Sequence, residues 1–242
     1  MRPGDGPDHE PELLRDRRAS GADLAEQLAS FRGSRSALVL GLARGGVPVG
    51  DAISRRLELS LDVFVVRRFA VPGRDRVAIG AVASGGVRVF DVELIASLGI
   101  EARMIAASAG EQQRTVERLE RRYRDGRPTP ALAGRDVVLV DDGVASGSSM
   151  RAAVRAVRPQ APASITVAIP VGPVATCESL LTEADDVVCP LRTDGVRPVA
   201  DWYRDFPKVS DRDVRELLHG AIRDGRSARG QSPRSSGRTS AP

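Results

Sequence analysis

The sequence predicts an α/β fold with a mainly parallel sheet flanked by helices. Three observations lead there. Short runs of apolar β-formers, at 37–42, 61–67, 136–140 and 164–169, alternate with stretches of helical periodicity. Those runs are nearly continuous rather than interleaved with polar residues, the pattern of strands covered on both faces. Aromatic residues are only 3% of the 242-residue chain, whereas apolar residues are 41%, so the core has to be built from Val, Ala, Leu and Ile.

The elements follow in order. Residues 1–9 are rich in Pro, Gly and Asp and read as a flexible N-terminus. Leu13, Leu24, Leu28 and Phe31 recur at helical spacing and predict a helix over 11–31. A buried strand at 37–42 is followed by a turn at 41–46 and a helix to about residue 57. A second strand is expected at 61–67 and a Pro/Gly loop at 71–76. The runs 77–84 and 87–90 read as a hairpin turning at Ser84, Gly85 and Gly86. Asp91 caps a short helix that Gly99 stops. The pattern at 101–124 is the longest helix, with Glu117/Arg121 and Glu120/Arg124 as i,i+4 pairs. A third strand at 136–140 leads through a Gly/Ser turn into a helix ending near residue 157. A strand at 164–169, a helix at 174–181 and a short strand at 186–189 follow. Ser210 and Asp213 form a capping-box variant that opens a last helix.

Charge and composition exclude several classes. The net charge is +4, and residues 223–242 hold five arginines against one aspartate, so the rest of the chain is neutral. That segment has no Leu, Val or Ile and reads as a disordered basic tail after a domain at 10–222. Nucleic-acid binding is therefore expected only through the tail, because the body has no basic stripe. Cys177 and Cys189 exclude a disulfide scaffold, lack metal spacing and read as buried apolar residues. His9 and His219 lie near opposite ends, which excludes a His-rich metal site. The N-terminus has no apolar secretory core, and the longest uncharged run is broken by Pro170 and Pro173. A cytoplasmic protein without membrane association is expected.

In parallel sheets ligands bind beyond the C-terminal strand ends. The turns after Leu42, Val66 and Val140 are therefore the candidate sites. The third reads VVLVDDGVASGSS at 137–149. Four apolar residues deliver Asp141 and Asp142 to a strand end. Gly143 and Gly147 let consecutive N–H groups converge, Ser146, Ser148 and Ser149 add hydroxyls, and a helix N-terminus adds its field. That cradle suits a phosphate, and the carboxylates suit ribose hydroxyls or a hydrated Mg²⁺. No Lys follows Gly147, so this is not a Walker loop, and the spacing is not GxGxxG.

This segment resembles the ribose-phosphate motif of the type I phosphoribosyltransferase family, with Ser146 where Thr is usual. Ala145 stands where members acting on 6-oxopurines carry Asp, so the resemblance points toward the adenine or orotate branches. The first turn, GLARGGVPVG at 41–50, resembles the family's pyrophosphate loop: Ala43, Gly45 and Gly46 admit an anion, and Arg44 carries a permanent charge. The second, VVRRFAVPGRDR at 65–76, resembles the Arg-Lys pair and closing loop of adenine-type members, which implies that Arg67 and Arg68 contact pyrophosphate. The run VAIGAVASGG at 77–86 resembles a less characterised, purine-type-like subgroup.

The resemblance covers roughly residues 10–220 and implies the family's α/β core with a small hood. It implies transfer of a phosphoribosyl group from Mg²⁺-bound phosphoribosyl pyrophosphate (PRPP) to a nitrogenous base, with release of pyrophosphate, by a homodimer. Asp141 and Asp142 would hold the ribose hydroxyls and reach Mg²⁺ through water or PRPP. Gly143 and Ala145 to Ser149 would bind the 5′-phosphate. Ala43, Arg44, Gly45, Gly46, Arg67 and Arg68 would take the pyrophosphate. The alternatives are a non-catalytic PRPP or nucleotide-binding regulator and a PRPP hydrolase. The basic face at Arg114, Arg118, Arg121, Arg122 and Arg124 reads as solvated surface, with a lid or dimer contact as the sharper option. Trp202, Tyr203 and Phe206 read as C-terminal packing or as a cover over the base.

Overall fold

Strands β1 (Leu38–Leu42) and β6 (Asp136–Val140) run side by side at the centre of a five-stranded sheet. The computed structural model describes residues 13–71 and 74–227, with side chains described outside 71–77. The sheet adds β2 (Ser60–Phe64), β7 (Ser164–Ala168) and β9 (Asp186–Val188) in the order β2-β1-β6-β7-β9, and every pairing is parallel. Side chains alternate across it. Val39, Leu61, Val63, Val138 and Val140 join one apolar cluster with residues of α1 (Arg17–Gln27), α2 (Gly46–Leu57), α4 (Ala102–Arg124) and α7 (Asp211–Arg223). Leu38, Leu40, Leu42, Val137 and Leu139 join another with residues of α5 (Ser148–Val157) and α6 (Val174–Leu181). The period-two alternation thus feeds two cores, and the continuous apolar runs are explained by helices on both faces. Among the described residues no helix is long and apolar enough to cross a membrane.

Between β2 and β6 the chain makes one long excursion. Strands β3 (Val66–Val71), β4 (Arg74–Ala83) and β5 (Arg88–Phe90) form an antiparallel sheet, and the short helix α3 (Val92–Leu98) and then α4 follow. A pair of short strands, β8 (Val171–Pro173) and β10 (Leu191–Thr193), and the segment 199–207 build a small hood. Leu14, ahead of α1, is stitched to that hood: its amide donates to the Trp202 carbonyl at 2.9 Å, and the Arg204 amide donates to the Leu14 carbonyl at 2.8 Å.

Several expected boundaries move, each for a local reason. Of the helix expected over 11–31, residues 11 and 12 lie outside the described residues, and the described part begins at Arg17, because the Asp16 carboxylate caps it by accepting the Ala19 amide at 2.8 Å. The strand expected over 61–67 splits: Val65 leaves the sheet to pair with Ser84, its amide donating to Ser84 Oγ at 2.9 Å. The loop expected at 71–76 is mostly strand, since β3 and β4 pair as far as Val71 and Arg74. Pro72 and Gly73 of that expected loop lie outside the described residues. The hairpin at 77–90, the Asp91 cap and the Ser210/Asp213 capping box form as expected. Both cysteines are buried.

The tail boundary at residue 223 also moves. Arg226 Nη1 donates to Ser54 Oγ at 2.6 Å, its other terminal nitrogen lies 3.2 Å from Asp51, and its carbonyl accepts the Leu61 amide at 2.8 Å. Residues 224–227 therefore belong to the domain. Residues 228–242 and the expected flexible start at 1–9 lie outside the described residues. The basic face of α4 loses one expected member: Arg124 is 1% exposed and bonds Asp62 at 3.0 Å and the Val63 carbonyl at 2.6 Å, which clamps α4 to β2.

Candidate active site

Helix α2 follows β1 on one face and α5 follows β6 on the other, so a crevice opens between the two strand ends, as expected where strand order reverses. The first loop, Ala43 to Gly46, contains a cis peptide between Ala43 and Arg44. It packs directly on the acid pair. A Cβ on Gly45 would lie 2.0 Å from Asp142 Oδ2, and one on Gly46 2.2 Å from the Val140 carbonyl oxygen. Only glycines allow that approach.

The two carboxylates have different surroundings. Asp141 accepts the Asp142 amide at 2.9 Å. Burial, and then the neighbouring Asp142 charge, push its carboxyl well above the usual range. Asp142 faces an arginine: Arg17 Nε donates to Asp142 Oδ2 at 2.8 Å, with side-chain exposures of 10% and 14%. Arg17 Nη1 also donates to the Pro207 carbonyl at 2.7 Å, and the guanidinium lies 3.6 Å from the Phe206 ring centroid. The Tyr203 hydroxyl, pushed up by burial, donates to the Asp142 carbonyl at 2.6 Å. Tyr203 and Phe206 thus pack beneath the acid pair.

The second loop has the glycine turns and the helix N-terminus that the sequence led us to expect there. Gly143 and Gly147 have φ of +148° and +69°, and α5 begins at Ser148. Thr176 Oγ1 holds the Ala145 carbonyl at 3.0 Å, and Arg151 Nη2 holds the Ser146 carbonyl at 2.8 Å. The Ser146 and Ser148 hydroxyls lie 3.0 Å apart, and Arg68 Nη1 donates to Ser148 Oγ at 2.7 Å. A cavity of about 170 Å³ is lined by Asp141, the loop from Gly143 to Ser149, and Arg68.

A second cavity, of about 260 Å³, opens at the first loop. Its lining includes Ala43, Arg44, Arg67, Arg118, Tyr123 and Asp211. Arg67 and Arg68 are consecutive on β3 and project to opposite sides, so the expected pair on one anion divides between two cavities. Among the described residues no cluster of three or more metal-ligating side chains occurs. Two adjacent carboxylates, one already paired with Arg17, fit a Mg²⁺ carried by substrate phosphates better than one caged by protein.

The structure brings Asp141, Arg68 and residues 143–149 together. It gathers Ala43, Arg44 and Arg67 separately, with Gly45 and Gly46 between the groups, and turns Asp142 toward Arg17. Sequence reasoning missed Arg17, Tyr123 and Asp211. Arg17 stands in a run with Arg15 and Arg18, and nothing local separates the buried member from the others.

The comparisons agree with this architecture. The phosphoribosyl transferase domain family matches residues 14–193. The crystal structure of TT1426 from Thermus thermophilus has 41% sequence identity, with 85% of this chain and 97% of that chain covered, at a TM-score of 0.76. Two Mycobacterium tuberculosis sequences, from strains CDC 1551 and H37Rv, bear names that assign them to the phosphoribosyl transferases. Each is 36% identical over 212 residues, which is 88% of this chain. The chain spans about half the length of these curated relatives, 48%. It belongs to the phosphoribosyl transferase domain family.

Proposed function

We propose that the protein is a phosphoribosyltransferase that uses Mg²⁺-bound PRPP and a nitrogenous base. One observation carries the reading: an arginine-bearing cavity lined by Asp141 and the 143–149 loop is accompanied by a second one, lined by Ala43 and Arg44 of the turn whose next residue, Gly45, packs on Asp142. PRPP has matching parts, a phosphate at C5 and a pyrophosphate at C1 with vicinal hydroxyls between them. The loop 143–149 and Arg68 would hold the 5′-phosphate. Asp141 would accept from a ribose hydroxyl, and Asp142, fixed by Arg17, would stand beside it. The amides of the Ala43–Gly46 turn, with Arg44 and Arg67, would take the pyrophosphate.

The reaction breaks the C1–O bond to pyrophosphate and forms a C1–N bond to the base, whose proton leaves to solvent or to the departing anion. Positive charge develops on the ring and negative charge on the leaving group, so the chain's contribution is electrostatic and positional. Mg²⁺, when bound, neutralises charge on the pyrophosphate. The arginines hold the leaving group in place, and the carboxylates lie close to the developing cation.

Calorimetric titration of PRPP, with and without Mg²⁺, tests this in the wild type and in the Asp141→Asn/Asp142→Asn variant. Mg²⁺-dependent binding lost in the folded variant is expected, followed by pyrophosphate release with one of a panel of bases. Absence of binding to the folded wild type would refute the reading, and turnover of PRPP without any base would redirect it to hydrolysis. The expected homodimer is tested by light scattering.

A further inference from the structure

Helix α4 reaches the second cavity, although sequence reasoning treats its basic face as solvated surface. Thr115, Arg118 and Leu119 project from one face of the helix and join Arg44 and Arg67 in the lining. The placement is fixed from the end of the helix. Arg124 is clamped to β2, and Tyr123, 1% exposed, donates its hydroxyl to Asp211 Oδ1 at 2.7 Å. Burial and then Asp211 hold that phenol well above its ordinary range, so it remains a donor.

The cavity's charges are unbalanced. Arg44, Arg67 and Arg118 come from three different elements, and Asp211 is the one carboxylate among the described lining residues. Asp211 is shared: Arg44 Nη1 lies 3.7 Å from Oδ1 and Arg122 Nη1 lies 3.2 Å from Oδ2. Among the described residues, Arg67 and Arg118 form no ion pair with a carboxylate. Three guanidinium groups around one opening create a field that favours a polyvalent anion over a monovalent one.

We propose that Arg118 of α4 is a third pyrophosphate-binding arginine, and that Asp211 is an internal anion which holds Arg44 until pyrophosphate replaces it. This rests on the PRPP reading and deepens it: the leaving group would be gripped by the first loop, by β3 and by α4 together. Opposite signs are expected from the two partners. Loss of Arg118 weakens the grip, whereas neutralising Asp211 removes a competitor for Arg44 and strengthens it.

The experiment is calorimetry on the full chain with inorganic pyrophosphate, and separately with ribose 5-phosphate, for the wild type, Arg118→Gln, Arg118→Lys and Asp211→Asn. Thermal melts establish that each variant is folded; Arg118 is exposed, and Asp211→Asn is nearly isosteric. Arg118→Gln should weaken pyrophosphate about tenfold, the loss of one charge-assisted contact. Arg118→Lys should recover part of this, Asp211→Asn should tighten pyrophosphate, and ribose 5-phosphate should bind equally to all. Unchanged pyrophosphate affinity in folded Arg118→Gln overturns the inference, and Mg²⁺–PRPP turnover in the same preparation would leave the transferase reading intact. Pyrophosphate binding that follows the expected order without turnover supports the cavity assignment and removes only the transferase. A wild type that binds neither pyrophosphate nor PRPP overturns both.

Discussion

Arg17→Met removes one half of the ion pair beneath the candidate active site and keeps most of the side-chain volume. The wild-type guanidinium donates to Asp142 at 2.8 Å and to the Pro207 carbonyl at 2.7 Å, and it covers the Phe206 ring. Breaking a buried pair by removing one partner costs about 3–5 kcal/mol, mostly because the other charge is left uncompensated. With 10% and 14% of the two side chains exposed, some solvent screening remains, and the lower end, about 3 kcal/mol, is expected. For a domain of this size that lowers Tm by about 6–12 °C. Urea unfolding of Arg17→Met, Asp142→Asn and the double variant measures the origin of the loss. If an unpaired Asp142 causes it, adding Asp142→Asn to Arg17→Met recovers about 2 kcal/mol relative to additivity. Strictly additive losses would show that Arg17 acts through Phe206 and Pro207 alone, and the account of a paired carboxylate would be wrong.

Asp141→Asn should make the protein more stable at neutral pH. The folded carboxyl binds its proton more tightly than the unfolded chain, so wild-type stability falls as pH rises from the ordinary value near 3.8 toward the raised folded value. Asn abolishes that loss, so urea midpoints of the two proteins should diverge with rising pH; parallel profiles would contradict a buried, protonatable Asp141. Gly45→Ala should cost about 1–3 kcal/mol through overpacking and abolish PRPP binding. Gly45 has φ of −61°, so the cause is the Cβ driven against Asp142 rather than backbone conformation, and an unshifted melt would refute the close approach. Arg226→Ala should cost about 2 kcal/mol by leaving buried polar partners without their charged donor. An unchanged urea midpoint would return the domain boundary to residue 223.

The parts of the fold legible in the sequence are those whose cause is local. The strands at 38–42, 136–140 and 164–168 stand out because burial on both faces demands unbroken apolar runs. Asp141, Asp142 and the Gly/Ser loop stand out because a strand ending in two acids has no packing rationale. The short strands at 171–173 and 191–193 carry no such signal, since three residues pairing with a distant partner show no periodicity. The pairing of Arg17 with Asp142 spans 125 positions, and chain folding alone selects Arg17 over Arg15 and Arg18. The same holds for Arg118, whose helix is readable but whose orientation depends on two buried anchors, Tyr123 and Arg124. Pro72 and Gly73 lie between the paired ends of β3 and β4, but the strands extend further toward them than a Pro/Gly-rich stretch suggests.

Strand β3 sends Arg67 to one cavity and Arg68 to the other, and this has a consequence for ligand choice. Adjacent residues on a pleated strand cannot be brought to the same side without breaking the ladder with β4. On the proposed reading the strand works as a gauge of length. A molecule anionic at one end engages a single prong and leaves the other in solvent, whereas one charged at both ends, at the right span, engages both. Discrimination between a sugar monophosphate and the same sugar phosphate carrying a pyrophosphate at its other end would then come from backbone geometry, before any group recognises the sugar.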